Sequence, residues 1–347
     1  MASQLTLKPG DRVLISRTDA LGDVVLTLPL CYAIRQRWPG VQIIFLCRSY
    51  AAPVLACSSA VDEIVRWDEL EKQPEPAQIG ALEALNIQVA LHVFPVRAIA
   101  QRVKQAGIAH RVGTRSRWYH WLTCNHLVNL HRKNSPLHES ELNLQLAQEV
   151  LDLPRWTRAE LQSLQLLDRA PQPPALARQL DGRYRVVLHA KSSNSAREWP
   201  MERWVNLAHS LPAERFQLIV TGTAAEAEAL APLRRVVNEL PGGLDTVGQL
   251  SLTELLGFIG QCDALVACST GPLHLAAGLG KQAIGLYPPI RPMHPGRWGP
   301  LGSRSAVLVA AKDCNDCRKP GTPCRCMQQL ETAQVAELLT RGVEGLA

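Results

Sequence analysis

An aspartate lies where a predicted strand passes into a predicted helix, within residues 12–39. Arg12–Ser16 reads as a strand, and a glycine-containing loop leads from it into a helix with apolar residues along one face. Asp23 lies where that helix begins. Aspartate is among the best N-cap residues, so one interpretation is a helix cap. The other is a carboxylate at the carboxyl edge of a sheet that acts as a general base, and the pattern leaves both open.

The segment His189–Trp204 gathers cationic and hydroxyl side chains after a second predicted strand. Lys191, Ser192, Ser193 and Arg197 fall within seven residues, ahead of a Trp-Pro pair that starts a helix. Arginine forks onto phosphate oxygens and hydroxyls donate further hydrogen bonds, so such a loop suits a diphosphate. An exposed polar turn is the alternative.

A third segment, Ala264–Gly280, joins an apolar strand to a short helix through Ser269–Gly271. Pro272 suits the first turn of that helix, and Gly280 stands where a glycine commonly ends one. The unpaired N–H groups and the positive end of the helix dipole make the junction a ready anion site. His274 lies one turn into the helix, where it is either a packed core histidine or a ligand.

Four of the ten cysteines cluster near the C-terminal end, at Cys314, Cys317, Cys324 and Cys326. Their spacing brings four sulfurs within reach of one tetrahedral ion. A structural zinc or iron site is one interpretation, and two disulfides or unpaired thiols are the others. Five further cysteines stand in apolar stretches and read as small buried hydrophobic residues: Cys31, Cys47, Cys57, Cys262 and Cys268.

The composition is that of a globular protein with more than one domain. The chain has 347 residues, of which 46% are hydrophobic and 20% charged, and this excludes disordered and fibrous classes. No apolar run reaches the ~18 residues of a membrane-spanning helix. The first residues lack the basic and apolar regions of a signal peptide, which predicts a cytoplasmic location.

Positive charge is concentrated in one stretch of a chain whose net charge is +6. No acidic residue occurs between Glu83 and Glu139. A one-sign stretch predicts an anionic partner, such as nucleic acid, an anionic membrane surface or an acidic substrate, with a solvated basic face as the alternative. The interval carries Trp118, Tyr119 and Trp121 among its cations, which are Arg97, Arg102, Lys104, Arg111, Arg115, Arg117, Arg132 and Lys133.

Short β-branched runs alternate with helical patterns in both halves, which predicts βα units around parallel sheets. A proline-rich stretch over 168–183 predicts the domain boundary. We expect Rossmann-like domains over 1–170 and 184–327, and a helical segment over 328–347 that packs back towards the first domain. Predicted strands are Arg12–Ser16, Val41–Cys47, Glu63–Trp67, Gln88–Phe94, Arg185–His189, Gln217–Thr221, Ala264–Cys268, Ala283–Tyr287 and Ala306–Val309; predicted helices include Met201–Leu211, Ala224–Val237, Leu252–Gly260, Pro272–Leu279 and Gln328–Arg341.

Taken together, these segments resemble glycosyltransferase family 9, the ADP-heptose:lipopolysaccharide heptosyltransferases. The family's ALGDVVLTLP-type motif corresponds to Ala20–Pro29, and its loop ending in a basic residue and Trp-Pro corresponds to His189–Pro200. Its DTGPMHLAAALG-type motif corresponds to Ser269–Gly280, followed by a Pro- and Trp-Gly-Pro-containing loop at Tyr287–Pro300. The resemblance covers nearly the whole chain and implies an α/β fold of GT-B type, with two doubly wound domains facing a central cleft.

The resemblance also implies roles for single residues. Asp23 takes the place of the catalytic base, Glu226 that of an acid holding the nucleoside ribose, and Arg197 that of a lysine on the donor diphosphate. Ser269 stands where the family has an aspartate that contacts the transferred sugar. Losing that charge-assisted hydrogen bond costs roughly 1.5–3 kcal/mol, or ~10- to 100-fold in affinity. The other donor-binding residues implied are Lys191, Ser192, Thr270, Gly271 and His274.

These observations predict an inverting glycosyltransferase that moves heptose from ADP-heptose onto a lipopolysaccharide core or a similar anionic glycan. The basic stretch suits such an acceptor better than nucleic acid, since no nucleic-acid motif accompanies it, and we expect Arg97, Arg115 and Arg117 to contact the acceptor. The resemblance implies catalysis without a metal, so zinc or iron at the cysteines would be structural. Charge and acceptor type together predict peripheral contact with the cytoplasmic face of the inner membrane.

Two other functions fit the same patterns. One is a non-catalytic relative that keeps the fold and binds a nucleotide or a metal, which the exchange at Ser269 motivates. The other is a nucleotide-sugar epimerase of similar two-domain fold.

Overall fold

Each half of the chain folds around a parallel sheet. In this computed structural model, which describes residues 4–133, 135–192, 196–290, 293–311 and 324–345, the chain forms two compact units. The first comprises Met1–Leu161 and Leu166–Arg169, and the second comprises Gln162–Gln165 and Ala170–Ala347. The change of unit at Ala170 falls inside the proline-rich stretch.

The sheet of the first unit has the strand order β3-β2-β1-β4-β5-β6, with every pairing parallel. Its strands are β1 (Arg12–Ser16), β2 (Gln42–Cys47), β3 (Glu63–Arg66), β4 (Val89–His92), β5 (His110–Thr114) and β6 (His126–Val128). The helices of this part of the chain are α1 (Leu21–Val25), α2 (Leu28–Arg37), α3 (Ala52–Leu55), α4 (Trp67–Leu70), α5 (Glu75–Ala84), α6 (Arg97–Gln105), α7 (His120–Thr123), α8 (Glu139–Leu151) and α9 (Arg158–Ser163).

The sheet of the second unit has the order β12-β11-β10-β7-β8-β9, again all parallel. Its strands are β7 (Tyr184–His189), β8 (Phe216–Val220), β9 (Leu244–Asp245), β10 (Ala264–Cys268), β11 (Gln282–Tyr287) and β12 (Ser305–Val309). Its helices are α10 (Met201–Ser210), α11 (Ala231–Glu239), α12 (Leu252–Gln261), α13 (Gly271–Gly278), α14 (Pro295–Trp298), α15 (Arg325–Gln328) and α16 (Thr332–Glu344).

The two sheets share one doubly wound order. Counted within its own unit, each runs 3-2-1-4-5-6, and the order reverses between the first and fourth strands. At the reversal Ser16 pairs with His92 in the first sheet, and Ala267 pairs with His189 in the second. Ligands of such sheets bind outside the carboxyl ends of the strands at this point. The predicted class, α/β with two Rossmann-like doubly wound units, is confirmed.

Continuous apolar runs explain most of the strands. All of β8 and β10 is buried, as expected for parallel strands covered by helices on both faces. Every strand that the sequence predicts is present, with ends within two residues of the predicted ones. The strands that sequence patterning missed within the described residues are β5, β6 and β9, because β5 and β6 are short and carry charged or histidine residues and β9 has two residues.

Two predicted helices are divided in the structure. The helix expected over Ala224–Val237 is wrong in extent: a short 3₁₀ turn covers Ala224–Glu226, and α11 starts afresh with a proline in its first turn. Similarly, α15 ends before α16 begins at a capping box between Glu331 and Gln334. A proline at the start of α11 and a capping box at the start of α16 thus divide what apolar periodicity predicts as continuous helices.

The C-terminal helix α16 packs within the second unit. Val335 and Leu339 are fully buried in that unit's core, and Gln282 Nε2 donates to the Leu338 carbonyl at 2.8 Å. A Cβ at Gly342 would lie 2.3 Å from Gln282 Oε1, so glycine permits this close approach. The buried face of α16 contacts α10 and the second sheet. The expectation that the segment 328–347 also packs back towards the first domain stays a prediction.

Among the helices of the described residues, none has the length and apolar character needed to cross a bilayer.

Candidate functional site

Asp23 lies inside a helical turn and does not cap it. Ala20 is the N-cap of α1, and Asp23 is the third helical residue. The N-cap interpretation of Asp23 is therefore wrong. Its carboxylate instead accepts a hydrogen bond from the guanidinium of Arg17, and its side chain is 16% exposed. Arg17, the residue directly after β1, is therefore the partner of Asp23, and it is itself buried.

Arg17 is the centre of a buried charge cluster. Its side chain is 3% exposed and donates to both carboxylate oxygens of Asp19, at 2.7 and 2.9 Å. It also donates to Glu139 at 2.7 Å and to the amide oxygen of Asn143 at 3.2 Å. The surrounding carboxylates raise the pKa of Arg17 above its ordinary value against the effect of burial. We call Arg17, Asp19, Asp23 and Glu139 the Arg17 cluster.

Burial raises the pKa of Asp23. Its removal from water raises the pKa of the carboxyl group, and repulsion by Asp19 and Glu139 raises it further, while Arg17 opposes both. The resulting pKa is about 7. A carboxylate with a pKa near neutrality is a far stronger base than an exposed aspartate, and general bases work best when their pKa lies near the working pH.

The start of α8 fixes the backbone around Asp23. Ser140 Oγ donates to the Leu26 carbonyl at 2.7 Å, and Asn143 Nδ2 donates to the same carbonyl at 3.1 Å. Thr27 Oγ1 accepts from Asn143 at 3.1 Å and donates to the Asp23 carbonyl at 2.8 Å. The helix that supplies Glu139 therefore also holds the end of α1, so the cluster and the backbone of Asp23 form one hydrogen-bonded unit.

In the second unit, a carboxylate holds the cationic loop that follows β7. Glu198 pairs with the Lys191 ammonium group, and its other oxygen accepts from the Ser192 N–H at 2.9 Å and the Ser192 hydroxyl at 3.0 Å. Arg197, half-buried, precedes Glu198 in the loop. Lys191 and Ser192 share this carboxylate, which the sequence analysis did not single out. Ser193, the further predicted hydroxyl, lies outside the described residues.

The loop ends on a firm anchor. Trp199 is buried, its indole N–H donates to the Leu330 carbonyl at 3.0 Å, and its ring meets Trp204 edge-on at 5.2 Å. Beside it lies a cavity of about 260 Å³, lined in part by Lys191, Glu198 and Cys324. Lys191 and Glu198 therefore face a cavity that a small ligand group could enter.

Two carboxylates surround the buried imidazole of His189 at the end of β7. Burial lowers the pKa of His189 to about 4, against the attraction of Glu226 and Glu198. Glu226 is half-buried and accepts from the Thr223 N–H at 2.8 Å, which closes a capping box on the 3₁₀ turn after β8. A carboxylate is an acceptor that suits the hydroxyl groups of a ligand.

The β10–α13 junction keeps its N–H groups without a side-chain cap. Thr270 is the N-cap, and its buried hydroxyl has no hydrogen-bond partner among the described residues. Ser269 is half-buried and His274 buried in the helix. Gly280 has φ +74°, the left-handed conformation expected of a glycine that ends a helix. An uncapped helix start at a strand's carboxyl end is suited to an anion.

The three predicted acceptor residues, Arg97, Arg115 and Arg117, are all exposed on the first unit. The Arg97 guanidinium lies 4.9 Å from the centre of the Trp118 ring, and that of Arg115 lies 5.6 Å from the Trp121 ring. The basic stretch is therefore an aromatic surface as well as a charged one.

A family model confirms the resemblance. The model described as glycosyltransferase family 9 (heptosyltransferase) matches residues 98–328. The chain belongs to this family. It is therefore a glycosyltransferase, an enzyme that takes its sugar from a nucleotide-sugar donor.

Relatives of known name agree with the family 9 assignment. Lipopolysaccharide heptosyltransferase 1 of Pseudomonas aeruginosa is 25% identical over 342 residues, covering 89% of this chain and 86% of that protein. The enzyme of the same name from Escherichia coli is 24% identical over 354 residues, covering 97% and 99%. The solved structure of E. coli ADP-heptose lps heptosyltransferase II superposes with a TM-score of 0.75 at 20% identity, covering 97% and 99% of the two chains. The predicted GT-B type is confirmed by this likeness of fold.

The cysteine cluster of this family 9 chain is only partly described. Cys314 and Cys317 lie outside the described residues, Cys324 is half-buried, and Cys326 is buried in the second unit's core. Within the described part of the chain, no group of three or more His, Cys, Asp or Glu side chains is arranged to hold a metal ion. The five cysteines predicted to be small buried hydrophobic residues are all buried.

Proposed function

We propose that this family 9 enzyme transfers heptose from ADP-heptose, with inversion, to a hydroxyl group of a lipopolysaccharide core or similar anionic glycan. The names of its relatives support heptose, ADP and this class of acceptor. The observation that carries the proposal is Asp23, a near-neutral base held by buried partners at the carboxyl edge of the first sheet.

Asp23 is assigned the proton of the acceptor hydroxyl. As the proton passes to the carboxylate, the hydroxyl oxygen forms a bond to the anomeric carbon. The bond from that carbon to the diphosphate oxygen breaks, and ADP leaves with the electron pair. Attack from the face opposite the leaving group inverts the configuration.

The second unit is assigned the donor. Lys191, Ser192 and Arg197 suit the diphosphate, together with the N–H groups of α13 at Thr270 and Gly271. These groups oppose the negative charge that grows on the departing ADP. We assign the ribose hydroxyls to Glu226, and the transferred sugar to Ser269 and His274.

The anionic acceptor is assigned to Arg97, Arg115 and Arg117, and the enzyme to the cytoplasmic face of the inner membrane. The cationic side chains named above oppose the negative charge on the leaving group, so we expect transfer without a metal. Four thiolates suit a structural zinc or iron at Cys314, Cys317, Cys324 and Cys326. Transfer that persists in a chelator would support the first assignment, and metal analysis of C324S/C326S would check the second.

The decisive experiment replaces Asp23 with asparagine. We expect Asp23→Asn to reduce transfer by ~10²- to 10⁴-fold while ADP affinity stays unchanged, because a general base contributes on this scale. Asp19→Asn is the matched comparison, because it removes another carboxylate bonded to Arg17, and it should reduce transfer far less than Asp23→Asn. Retained turnover in Asp23→Asn would remove Asp23 from the mechanism.

Nucleotide binding tests the donor. Titration with ADP, UDP, GDP and CDP should show a clear preference for ADP. Preference for another nucleotide would discard ADP-heptose while keeping the transferase. If none of them binds, the donor site would be misassigned, as in the non-catalytic alternative. Consumption of donor without acceptor would favour the epimerase.

A further inference from the structure

Three large apolar side chains stand out from the first unit around α7. Trp118 is 61% exposed, Trp121 56% and Leu122 64%. We call these residues, with the cations beside them, the Trp118 patch. Soluble proteins rarely expose neighbouring large apolar side chains unless the surface binds a partner or a membrane.

The patch is ringed by cations. Arg97 and Arg115 lie over the rings of Trp118 and Trp121, and Lys104 Nζ donates to the Leu122 carbonyl at 2.9 Å. Arg117, also exposed, precedes Trp118 directly. The sequence contains no carboxylate side chain between Glu83 and Glu139, so the elements that build the patch carry positive charge alone. The surface is complementary to an anionic, partly apolar partner.

The exposure of these residues does not come from loose packing. On the inner side of α7, His120 is fully buried, and its Nδ1 lies 3.1 Å from the Thr114 carbonyl oxygen. A Cβ at Gly113 would lie 2.6 Å from His120 Nδ1 and 2.7 Å from Cys124 Sγ, so α7 sits directly against β5. The tryptophans are therefore presented outward from a firmly docked turn.

The patch and Asp23 share one edge of the first sheet. Trp118 follows the carboxyl end of β5, where the Trp121 indole donates to the Arg115 carbonyl, and Asp23 follows the carboxyl end of β1 in the same parallel sheet. Leu122 lies further from this edge, beside Lys104 near the end of α6. The buried His120 stacks on His92 at 5.6 Å, and His92 Nδ1 lies 3.4 Å from Ser16 Oγ. A surface bound by the patch would thus lie on the side of this unit where the candidate base is.

We propose that the Trp118 patch seats the first unit on an anionic lipid bilayer, with both indole rings and Leu122 among the headgroups and the four cations on lipid phosphates. Indole rings and arginine favour the boundary between water and lipid, and a combination of apolar insertion and basic charge is what stable peripheral binding requires. Leu122 favours a bilayer over nucleic-acid bases or sugars as the partner. Its side chain is the most exposed of the three, but it has no π face on which a base or a sugar could stack.

The inference rests on the proposed function, because it names the part of the protein that would lie on the membrane holding the acceptor. It can nevertheless be tested without donor or acceptor. The full chain is mixed with vesicles of phosphatidylcholine alone, or of equal parts phosphatidylcholine and phosphatidylglycerol, and sedimented. We expect binding to the anionic vesicles, and a loss of about tenfold or more in W118S/W121S. V307S/V309S is the matched control, since both valines are exposed on β12 of the second unit.

A second readout needs no variant. Brominated phosphatidylcholine in the anionic vesicles should quench part of the tryptophan fluorescence of the wild-type chain. Absence of vesicle binding and quenching, or binding equally strong in W118S/W121S and the wild type, would overturn the inference. So would binding of a lipid-free phosphorylated oligosaccharide or of RNA that depends on Trp118 and Trp121 when vesicles do not bind.

Discussion

The Arg17 cluster and the Lys191–Glu198 pair both join a cation to a carboxylate after a strand's carboxyl end, yet they differ in burial. Arg17 is 3% exposed and Glu139 1%, whereas Lys191 and Glu198 are 24% and 30% exposed. Charges withdrawn from water must keep their partners, while a partly exposed pair contributes about 0–1 kcal/mol. Asp23, the proposed base, is therefore held in place in advance. Lys191, proposed to bind phosphate, is held loosely enough to exchange Glu198 for a ligand.

Removing the central cation should have the largest effect. We expect Arg17→Met to lower unfolding stability by about 3–5 kcal/mol, because it removes the counter-charge of Asp19 and Asp23 and leaves Glu139 to its pair with Arg132. Arg341→Met, which breaks an exposed pair with Glu337, should change stability by less than about 0.5 kcal/mol. Denaturant unfolding of both variants measures the difference. Equal small effects would mean that the cluster is no more constrained than a surface ion pair.

Ser269→Asp should strengthen donor binding on the second unit. If the donor carries heptose, the restored carboxylate should tighten its binding by ~10- to 100-fold through a charge-assisted hydrogen bond. Ser269→Asn, which offers an uncharged acceptor, is the control and should gain less. Calorimetric titration with ADP-heptose gives the affinities. No gain in Ser269→Asp would indicate that a different sugar occupies this position.

The pH dependence of transfer reports on Asp23. Because its pKa is raised to about 7, transfer should rise about tenfold per pH unit below that value and level off above it. Stability should change in the opposite sense. A carboxyl pKa raised by folding contributes stability that is fully present below about pH 4 and lost as the pH rises through about 7. Unfolding of the wild type and Asp23→Asn at several pH values checks this, and identical slopes would contradict it.

Neutralising the loop carboxylate should have the smallest effect. Glu198→Gln keeps an acceptor for Ser192 but releases Lys191 from its ion pair, so ADP should bind up to about fivefold more tightly. Glu202→Gln, on the exposed face of α10, is the matched control. If Glu198→Gln weakened ADP binding instead, the carboxylate would be needed to shape the loop, and the contrast with the Arg17 cluster would disappear.

Much of the fold could be predicted because parallel strands buried on both faces appear as continuous apolar runs. The same logic failed at β5, whose sequence His-Arg-Val-Gly-Thr is polar at its start and contains the glycine on which α7 packs. Sequence patterning also failed to distinguish an aspartate that caps a helix from a buried aspartate in its first turn, since both stand near the start of a helix. Glu198 could have been found, because an acid directly after a predicted phosphate-binding arginine is an obvious partner for the loop.

The alternation of strands and helices, and the residues at their junctions, follow from the amino-acid order, Asp23, Lys191 and Thr270 among them. Those features depend on neighbouring residues, which local propensity and capping express directly. What these residues contact depends on the folded chain. Glu139 reaches Arg17 across 122 positions of sequence. The burial and the carboxylate neighbours that raise the pKa of Asp23 depend on such distant contacts, which no local pattern encodes.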